Sequence, residues 1–463
     1  MSAGLSTPDS TTPATSSEPD VGFRRLLTVA WPLALHGLVS VGVSMNDVVL
    51  LGREGALVIA SAVVASSLLT VVVIGVAAFA VATQIEASRA RGAGDSGGAV
   101  AAVEGSLRLV LTLAAPVLLV LWLAAPVLTA AVAGSAADST IAGDYLRITL
   151  LGVPLALGAA VLRAWATALG RTRVVLVAGV VAAGTDVAVS LALLPVWGWR
   201  GVAIGTVCGY AASAGSFLVW RLRLEVEHRP GLRLRPVGTE RHLFALGWPE
   251  ALLATFSTAS GVVVVFVLAG STPAVLAGVR LLEVQSMLAF VVLLSVGQAM
   301  LTLLGEAIGA DRPDLFARAR RHGLLVVGVL ALVMYVVAAP LSGLFVRVVG
   351  GPGPAAAVGW LGLLAWLQVF WQAANVVLVT TCRALRDTRA ALVASLVAEY
   401  AVFLPLGLLV CRVLGWDVLG VLVAHHAFWA TFVAIVAWRA RAAVRRTFGE
   451  QGLSAAAGRP ALS

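Results

Sequence analysis

Apolar stretches about as long as a membrane span recur along the chain from about residue 26 to about residue 438. They are apolar on nearly every face, whereas the strands of a membrane barrel would alternate polar and apolar residues. The pattern therefore predicts an all-α polytopic membrane protein with twelve transmembrane helices. The predicted spans are about 26–50, 57–85, 102–133, 143–168, 174–195, 201–222, 243–268, 274–304, 322–347, 357–382, 390–412 and 418–438.

Composition and charge support this interpretation. Hydrophobic residues make up 60% of the chain and charged residues only 12%, against about a quarter in soluble proteins. The net charge of +9 comes from arginines, which cluster in every second connection between spans, as the positive-inside rule predicts for cytoplasmic loops. We expect a multi-pass protein of the inner (plasma) membrane with both termini cytoplasmic, in contact with the lipid bilayer and with no nucleic-acid partner.

The chain contains one unit twice, at an offset of about 217 residues. Trp31-Pro32 corresponds to Trp248-Pro249, and Gly92-Ala93-Gly94-Asp95 corresponds to Gly309-Ala310-Asp311-Arg312. Each copy has six predicted spans, so the repeats are parallel and predict two six-helix lobes around a central cleft. The predicted divisions are a disordered cytoplasmic tail (1–22), an N-terminal lobe (23–222), a cytoplasmic linker (223–242), a C-terminal lobe (243–438) and a second cytoplasmic tail (439–463).

Two carboxylates in the first copy have no counterpart in the second. Asp47 and Asp186 correspond to Val264 and Val402, and a charged side chain inside a span usually faces a cavity or a partner. Such a pair would repel if buried, so one carboxylate could take up a proton. The alternatives are that Asp47 caps a helix end near the outer interface and that Asp186 only makes a structural hydrogen bond.

Other polar positions suggest supporting roles. On span 1, His36, Ser40 and Ser44 share a face with Asp47; His36 is a candidate proton relay or a structural residue. Pro32 lies inside span 1 and could allow it to bend, or could form a static kink.

In the second copy, Gln372 and Asn375 share a face of span 10. They could line a substrate cleft or bond to neighbouring helices. Glu399 is an intramembrane acid that could contact a cation, and Ser44 is a further cleft candidate. Acids exceed bases inside the spans, which favours a cationic, amphiphilic substrate.

The chain resembles the multidrug and toxic compound extrusion (MATE) family of cation-coupled exporters, and is more similar to its bacterial DNA-damage-inducible branch than to its eukaryotic one. The residues that carry this resemblance are Trp31-Pro32 through Asn46-Asp47 to Gly52-Arg53, Gly92 to Asp95, Leu162-Arg163 to Arg173, Gly201 to Thr206, and Gln298 to Ala310.

The resemblance implies a coupling-ion site in the N-terminal lobe formed by Asp47, Asp186, Ser190 and Thr206. This sequence departs from the family pattern at two of these positions. Asp186 replaces an expected Asn, and Ser190 replaces an acid expected one turn later. The acids that some branches use in spans 7 and 10 correspond to positions near Ser257 and Gln372, which argues against a cation site of that type.

The predicted function is a secondary-active antiporter that exports organic drugs or toxic metabolites in exchange for H⁺ or Na⁺. We expect a monomer that binds a small organic substrate and needs no cofactor and no metal. The alternatives are a flippase for a lipid-linked precursor, which would need a more basic cavity, and an integral-membrane enzyme. The sequence lacks an HExxH zinc pair, a GxSxG elbow and a phosphate-binding loop, so no enzyme is predicted.

Overall fold

The computed structural model describes residues 21–134, 137–224, 230–231 and 238–456, and the regular structure in these residues is helical throughout. Within these residues, twelve helices are long and apolar enough to cross a membrane, and each overlaps one predicted span, which confirms the predicted fold class. Most of the predicted N-terminal tail, most of the predicted linker and the last residues of the predicted C-terminal tail lie outside the described residues.

The helices of the N-terminal half are arranged in six spans. Span 1 is a single helix, span 2 has a break after Ala77, and spans 3 to 6 are single helices. Their bounds are Phe23–Arg53, Ala56–Ala77 with Ala80–Gly92, Ser96–Ala133, Ser139–Ala168, Thr172–Trp197 and Trp199–Leu222.

The second half repeats this arrangement with more interruptions. A short helix, Pro352–Val358, follows span 9, and span 11 contains two π-helical segments, Val397–Phe403 and Leu408–Val413. The bounds of spans 7 to 12 are Glu240–Val267, Pro273–Gly309, Pro313–Gly350, Leu361–Trp366 with Gln368–Ala384, Arg389–Leu396 continuing through Val397–Phe403, Leu404–Gly407 and Leu408–Val413, and Asp417–Ala456.

The repeat is visible in the backbone as well as in the sequence. Gly94 and Asp311 follow spans 2 and 8 and both have positive φ angles, of 72° and 53°. Gly170 and Arg386, after spans 4 and 10, also share this conformation, with φ angles of 67° and 61°. A residue in the left-handed conformation commonly ends a helix. Here such residues end the corresponding spans at equivalent positions of both halves.

The two halves meet along spans 1, 2, 7 and 8, and we call this interface the seam. A Cβ atom on Gly37 of span 1 would lie 2.7 Å from Val291 Cγ1 of span 8, and one on Gly75 of span 2 would lie 3.1 Å from Thr255 Oγ1 of span 7. Both glycines therefore allow close approach across the seam. Span 1 also packs against span 5. A movement of span 5 can therefore be transmitted to the seam by span 1.

Candidate functional site

Asp186 and Ser190 form a buried polar pair on span 5. Ser190 is fully buried and Asp186 is 4% exposed, and the Ser190 hydroxyl donates a hydrogen bond of 3.2 Å to Asp186 Oδ1. The two residues are one helical turn apart, so their side chains share one face. The structure therefore brings these two predicted residues into direct contact.

A row of glycines on span 6 allows this polar face to pack. A Cβ atom on Gly205 would lie 2.8 Å from the Asp186 carbonyl oxygen, and one on Gly209 would lie 3.1 Å from Asp186 Cβ. Gly201 is similarly close to Leu193. Small residues four apart are typical of tightly packed membrane helices, and here they allow span 6 to pack on the face of span 5 that carries Asp186. The hydroxyl of Thr206, on the same helix, donates to the Val202 carbonyl oxygen at 3.2 Å.

Asp47 joins this group from span 1. Its carboxylate interacts electrostatically with that of Asp186, and Asp47 Oδ1 is buried without a hydrogen-bond partner among the described residues. Asp47 lies inside a helix that continues to Arg53, so it does not cap a helix end. Two acids from different helices are therefore held close together with one of them incompletely satisfied.

Two tyrosines complete the N-terminal cluster, and the sequence analysis did not identify them. Tyr145 of span 4 and Tyr210 of span 6 both interact with Asp47 and Asp186, and Tyr145 adjoins Thr206. The chain has only four tyrosines, and their rarity in an apolar sequence was the available signal. We call Asp47, Tyr145, Asp186, Ser190, Thr206 and Tyr210 the acidic cluster.

The remaining predicted residues of span 1 make their contacts with residues outside the acidic cluster. His36 Nε2 is 3.3 Å from Arg163 Nη1 of span 4, and its ring lies against Gly179 of span 5. The Ser44 hydroxyl donates to the Ser40 carbonyl oxygen of its own helix at 3.3 Å. Pro32 is buried within a continuous helix, so no break in span 1 accompanies it in this conformation.

The C-terminal half encloses a cavity of about 530 Å³. Its lining comes from spans 7, 8, 10, 11 and 12 with two residues of span 2. Six of the lining residues are Phe, Tyr or Trp. The aromatic residues are Phe256, Phe290, Tyr400, Phe428, Trp429 and Phe432. A mostly apolar pocket of several hundred cubic ångströms with a few polar groups suits a drug-sized molecule.

Three carboxylates line this cavity, and two of them are paired with arginine. Glu250 accepts two hydrogen bonds from Arg383, at 2.8 and 2.7 Å, and Glu283 pairs with Arg280 at 2.7 Å. Glu399 instead accepts a bond of 2.8 Å from the Ser260 hydroxyl. Glu399 also lies in a π-helical segment, a local feature that is frequent at functional sites.

Three amide residues of span 10, Gln368, Gln372 and Asn375, line the same cavity. Gln372 Nε2 donates to Ser286 Oγ at 2.7 Å, while Gln372 Oε1 and Asn375 Oδ1 are buried without partners among the described residues. The Gln372 amide group thus bonds to span 8, and both Gln372 and Asn375 also belong to the lining of the cavity. Ser44 does not line this cavity.

Comparison with known proteins identifies the family. The MatE family model matches two segments, residues 32–192 and 249–409, which begin about 217 residues apart and reproduce the internal repeat. The chain belongs to the MATE family. Members of this family are transporters, so the expectation that the chain is not an enzyme is confirmed.

Relatives within the MATE family span nearly the whole chain. The probable multidrug resistance protein NorM of Deinococcus radiodurans is 31% identical over 423 residues, covering 88% of this chain and 92% of that protein. The multidrug resistance protein PmpM of Pseudomonas aeruginosa is 26% identical over 406 residues, covering 83% of each. The chain is thus a multi-pass membrane transporter similar to multidrug efflux proteins.

Solved MATE structures share the fold. The bent form of the Vibrio cholerae transporter VcmN has a TM-score of 0.77 at 21% identity, covering 92% of this chain and 98% of that one. The eukaryotic transporter AtDTX14 has a TM-score of 0.81 at 15% identity, covering 94% and 98%. At these identities the similarity establishes the two-lobed fold. The roles of single residues have to be argued from the contacts that they make in this protein.

Proposed function

We propose that this protein is a secondary-active antiporter that exports organic, cationic and amphiphilic compounds in exchange for H⁺ or Na⁺. The observation that carries the proposal is the acidic cluster, in which Asp47 and Asp186 interact while Asp47 Oδ1 is buried without a partner. Two neighbouring carboxylates repel, and binding of one cation relieves that repulsion. The cluster is therefore suited to hold a coupling ion.

The position of the acidic cluster supports a link to conformational change. Asp47 is on span 1, which packs both on span 5 and on span 8 across the seam. Binding or release of the ion changes the attraction between span 1 and span 5. An ion drives transport only if it binds one arrangement of the lobes better than the other, and a site that bridges a seam helix can provide that difference.

The second part of the proposal concerns the substrate. The cavity of the C-terminal half has aromatic walls and one carboxylate, Glu399, that no arginine neutralises among the contacts of the described residues. An amphiphilic organic cation fits both properties, because its apolar part packs on the aromatic rings and its charge is balanced by Glu399. The coupling ion and the substrate then occupy different halves of the protein.

The decisive experiment is transport by the Asp47→Asn variant in proteoliposomes with an imposed ion gradient. We expect gradient-driven transport to fall at least about tenfold, because the amide cannot exchange a proton and attracts a cation poorly. The matched control is Asp144→Asn, which removes an exposed carboxylate of the same half that pairs with Arg200. Unchanged transport by a folded Asp47→Asn variant would rule out the proposed coupling site.

The identity of the coupling ion is tested by the same assay under two conditions. In sodium-free buffer, a pH gradient alone drives transport if H⁺ is the coupling ion. At constant pH, a sodium gradient drives transport if Na⁺ is the coupling ion. Transport driven by neither gradient would contradict the antiport proposal as a whole.

A further inference from the structure

Two glutamates, one buried and one partly buried, join the halves at the end of the molecule where the arginine clusters lie, which we call the arginine-rich end. Glu306 of span 8 pairs with Arg25 of span 1, with Arg25 Nη2 at 2.7 Å from Glu306 Oε2. Arg91 of span 2 adds a contact of 3.4 Å to Glu306 Oε1. The Glu306 side chain is 3% exposed. One carboxylate of the C-terminal half is therefore held by two arginines of the N-terminal half.

The second glutamate reverses this arrangement. Glu86 of span 2 accepts two hydrogen bonds from Arg386, in the turn between spans 10 and 11, at 2.8 and 2.6 Å. His242, at the beginning of span 7, places Nε2 at 3.3 Å from Glu86 Oε1. The Glu86 side chain is 16% exposed. Here the N-terminal half supplies the acid and the C-terminal half supplies the bases.

The backbones of spans 2 and 8 cross between these two groups. Gly92 of span 2 lies against the Glu306 backbone, and Gly309 of span 8 lies against the Arg89 backbone. Gly92 and Gly309 are equivalent in the repeat, as are Arg89 and Glu306. The crossing therefore lies at the local pseudo-two-fold axis of the two halves. His242 occupies the repeat position of Arg25. Each lies in the first turn of the first span of its half, and each contacts a glutamate of the opposite half.

Separating the halves at this end would break both groups. A bidentate arginine–carboxylate pair is among the stronger polar contacts in proteins, and a carboxylate left buried without its partner is strongly unfavourable. Arg89 adds a further bond across the seam, from Nη1 to the Ala384 carbonyl oxygen at 3.2 Å. The end of the molecule that carries the arginines is thus the end that is closed.

We propose that these two groups form a latch that stabilises the conformation closed at the arginine-rich end and so sets how often the transporter opens there. We call this set the cross-lobe latch, and it consists of Arg25, Glu86, Arg91, His242, Glu306 and Arg386. Each half contributes one carboxylate, so loss of either group weakens the closed state. The latch lies outside both the acidic cluster and the cavity, and it acts on the equilibrium between conformations.

The experiment measures the distance between the halves in the full-length protein. Spin labels at Arg173 and Arg321, both exposed and on the arginine-rich side, report that distance by double electron–electron resonance after Cys208, Cys382 and Cys411 are replaced by serine. We expect Glu86→Gln or Glu306→Gln to raise the ratio of long to short distances by about tenfold, since hydrogen bonds to charged groups are among the more stabilising ones. An unchanged distribution in both variants would overturn the proposal.

Two controls separate the latch from local damage. Asp314→Asn removes an exposed ion pair with Arg312 on the same side that does not cross the seam, and the distribution should stay unchanged. The exchange variant Glu86→Arg with Arg386→Glu restores opposite charges and should return the short distance. If the exchange variant stays open, packing rather than charge closes this end and the proposal is wrong. The readout is a distance, so it is independent of whether the acidic cluster couples transport.

Discussion

At the scale of single residues, the carboxylates around the cavity differ in what neutralises them. Glu250 and Glu283 each pair with an arginine, whereas Glu399 is bonded by the Ser260 hydroxyl, which carries no charge. The charge of Glu399 is therefore the one most available to a bound cation. This makes Glu399 the residue at which a charge-dependent effect on substrate binding should be largest.

We expect the Glu399→Gln variant to raise the KM for a permanently charged organic monocation by about tenfold. The substitution removes one charge and keeps the size of the side chain. A tenfold change corresponds to about 1.4 kcal/mol, which is less than the attraction of about 4 kcal/mol between two unit charges about 4 Å apart at an effective dielectric constant of about 20. The measurement is concentration-dependent uptake into inverted vesicles. Asp144→Asn, which removes a carboxylate outside the cavity, is the control and should leave KM unchanged. An unaltered KM in Glu399→Gln would exclude an electrostatic role.

The sequence could predict these acids but not their partners. Asp47, Asp186 and Glu399 are conspicuous because ionisable side chains are rare inside membrane spans. Tyr145 and Tyr210 reach the acidic cluster from helices whose rotation the apolar sequence does not reveal, since spans 4 and 6 are apolar on most faces. The pairing of Glu250 with Arg383 joins spans 7 and 10 and likewise depends on packing between distant segments.

At the scale of helices, Gly205 has the tightest surroundings of the three glycines that allow spans 5 and 6 to pack together. A Cβ atom on Gly205 would lie 2.8 Å from the Asp186 carbonyl oxygen, too close for either backbone to remain in place. We expect Gly205→Ala to destabilise the protein by about 1–3 kcal/mol, as overpacked substitutions do, and to reduce ion-coupled transport.

The control for this prediction lies on the same helix. Gly215 of span 6 has open space around its Cβ position, so Gly215→Ala should be neutral or slightly stabilising because alanine favours helix. The measurement is the thermal unfolding midpoint in detergent together with proteoliposome transport. Equal midpoints for the two variants would show that the close approach of spans 5 and 6 contributes nothing.

The proline of span 1 provides a second prediction at this scale. Pro32 lies inside a continuous helix, and its ring removes one backbone hydrogen bond and so lowers the cost of bending. If span 1 bends during transport, Pro32→Ala should slow export several-fold without loss of folding. Pro116→Ala, in the exposed face of span 3, is the control. Full export activity in Pro32→Ala would remove bending at this residue from the mechanism.

At the scale of the whole molecule, the internal repeat determines more than the number of helices. The offset of about 217 residues predicts two lobes, and the structure adds that repeat-related glycines cross at the seam and that repeat-related left-handed residues end spans 2 and 8. The halves differ where function is proposed, because the acidic cluster is in one and the large cavity in the other. The sequence predicted the first difference from Asp47 and Asp186, whereas a cavity arises only from packing.

The arrangement of arginines predicts which end of the molecule faces the cytoplasm. Arg25, Arg91 and Arg386 all lie at the end closed by the cross-lobe latch, and basic loops are retained on the cytoplasmic side. In a background without native cysteines, Arg173→Cys should react with a membrane-impermeant maleimide only in inverted vesicles. Thr140→Cys, exposed in the first turn of span 4, should react only in intact cells. The opposite labelling pattern would reverse the topology, and the latch would then close the outer end of the transporter.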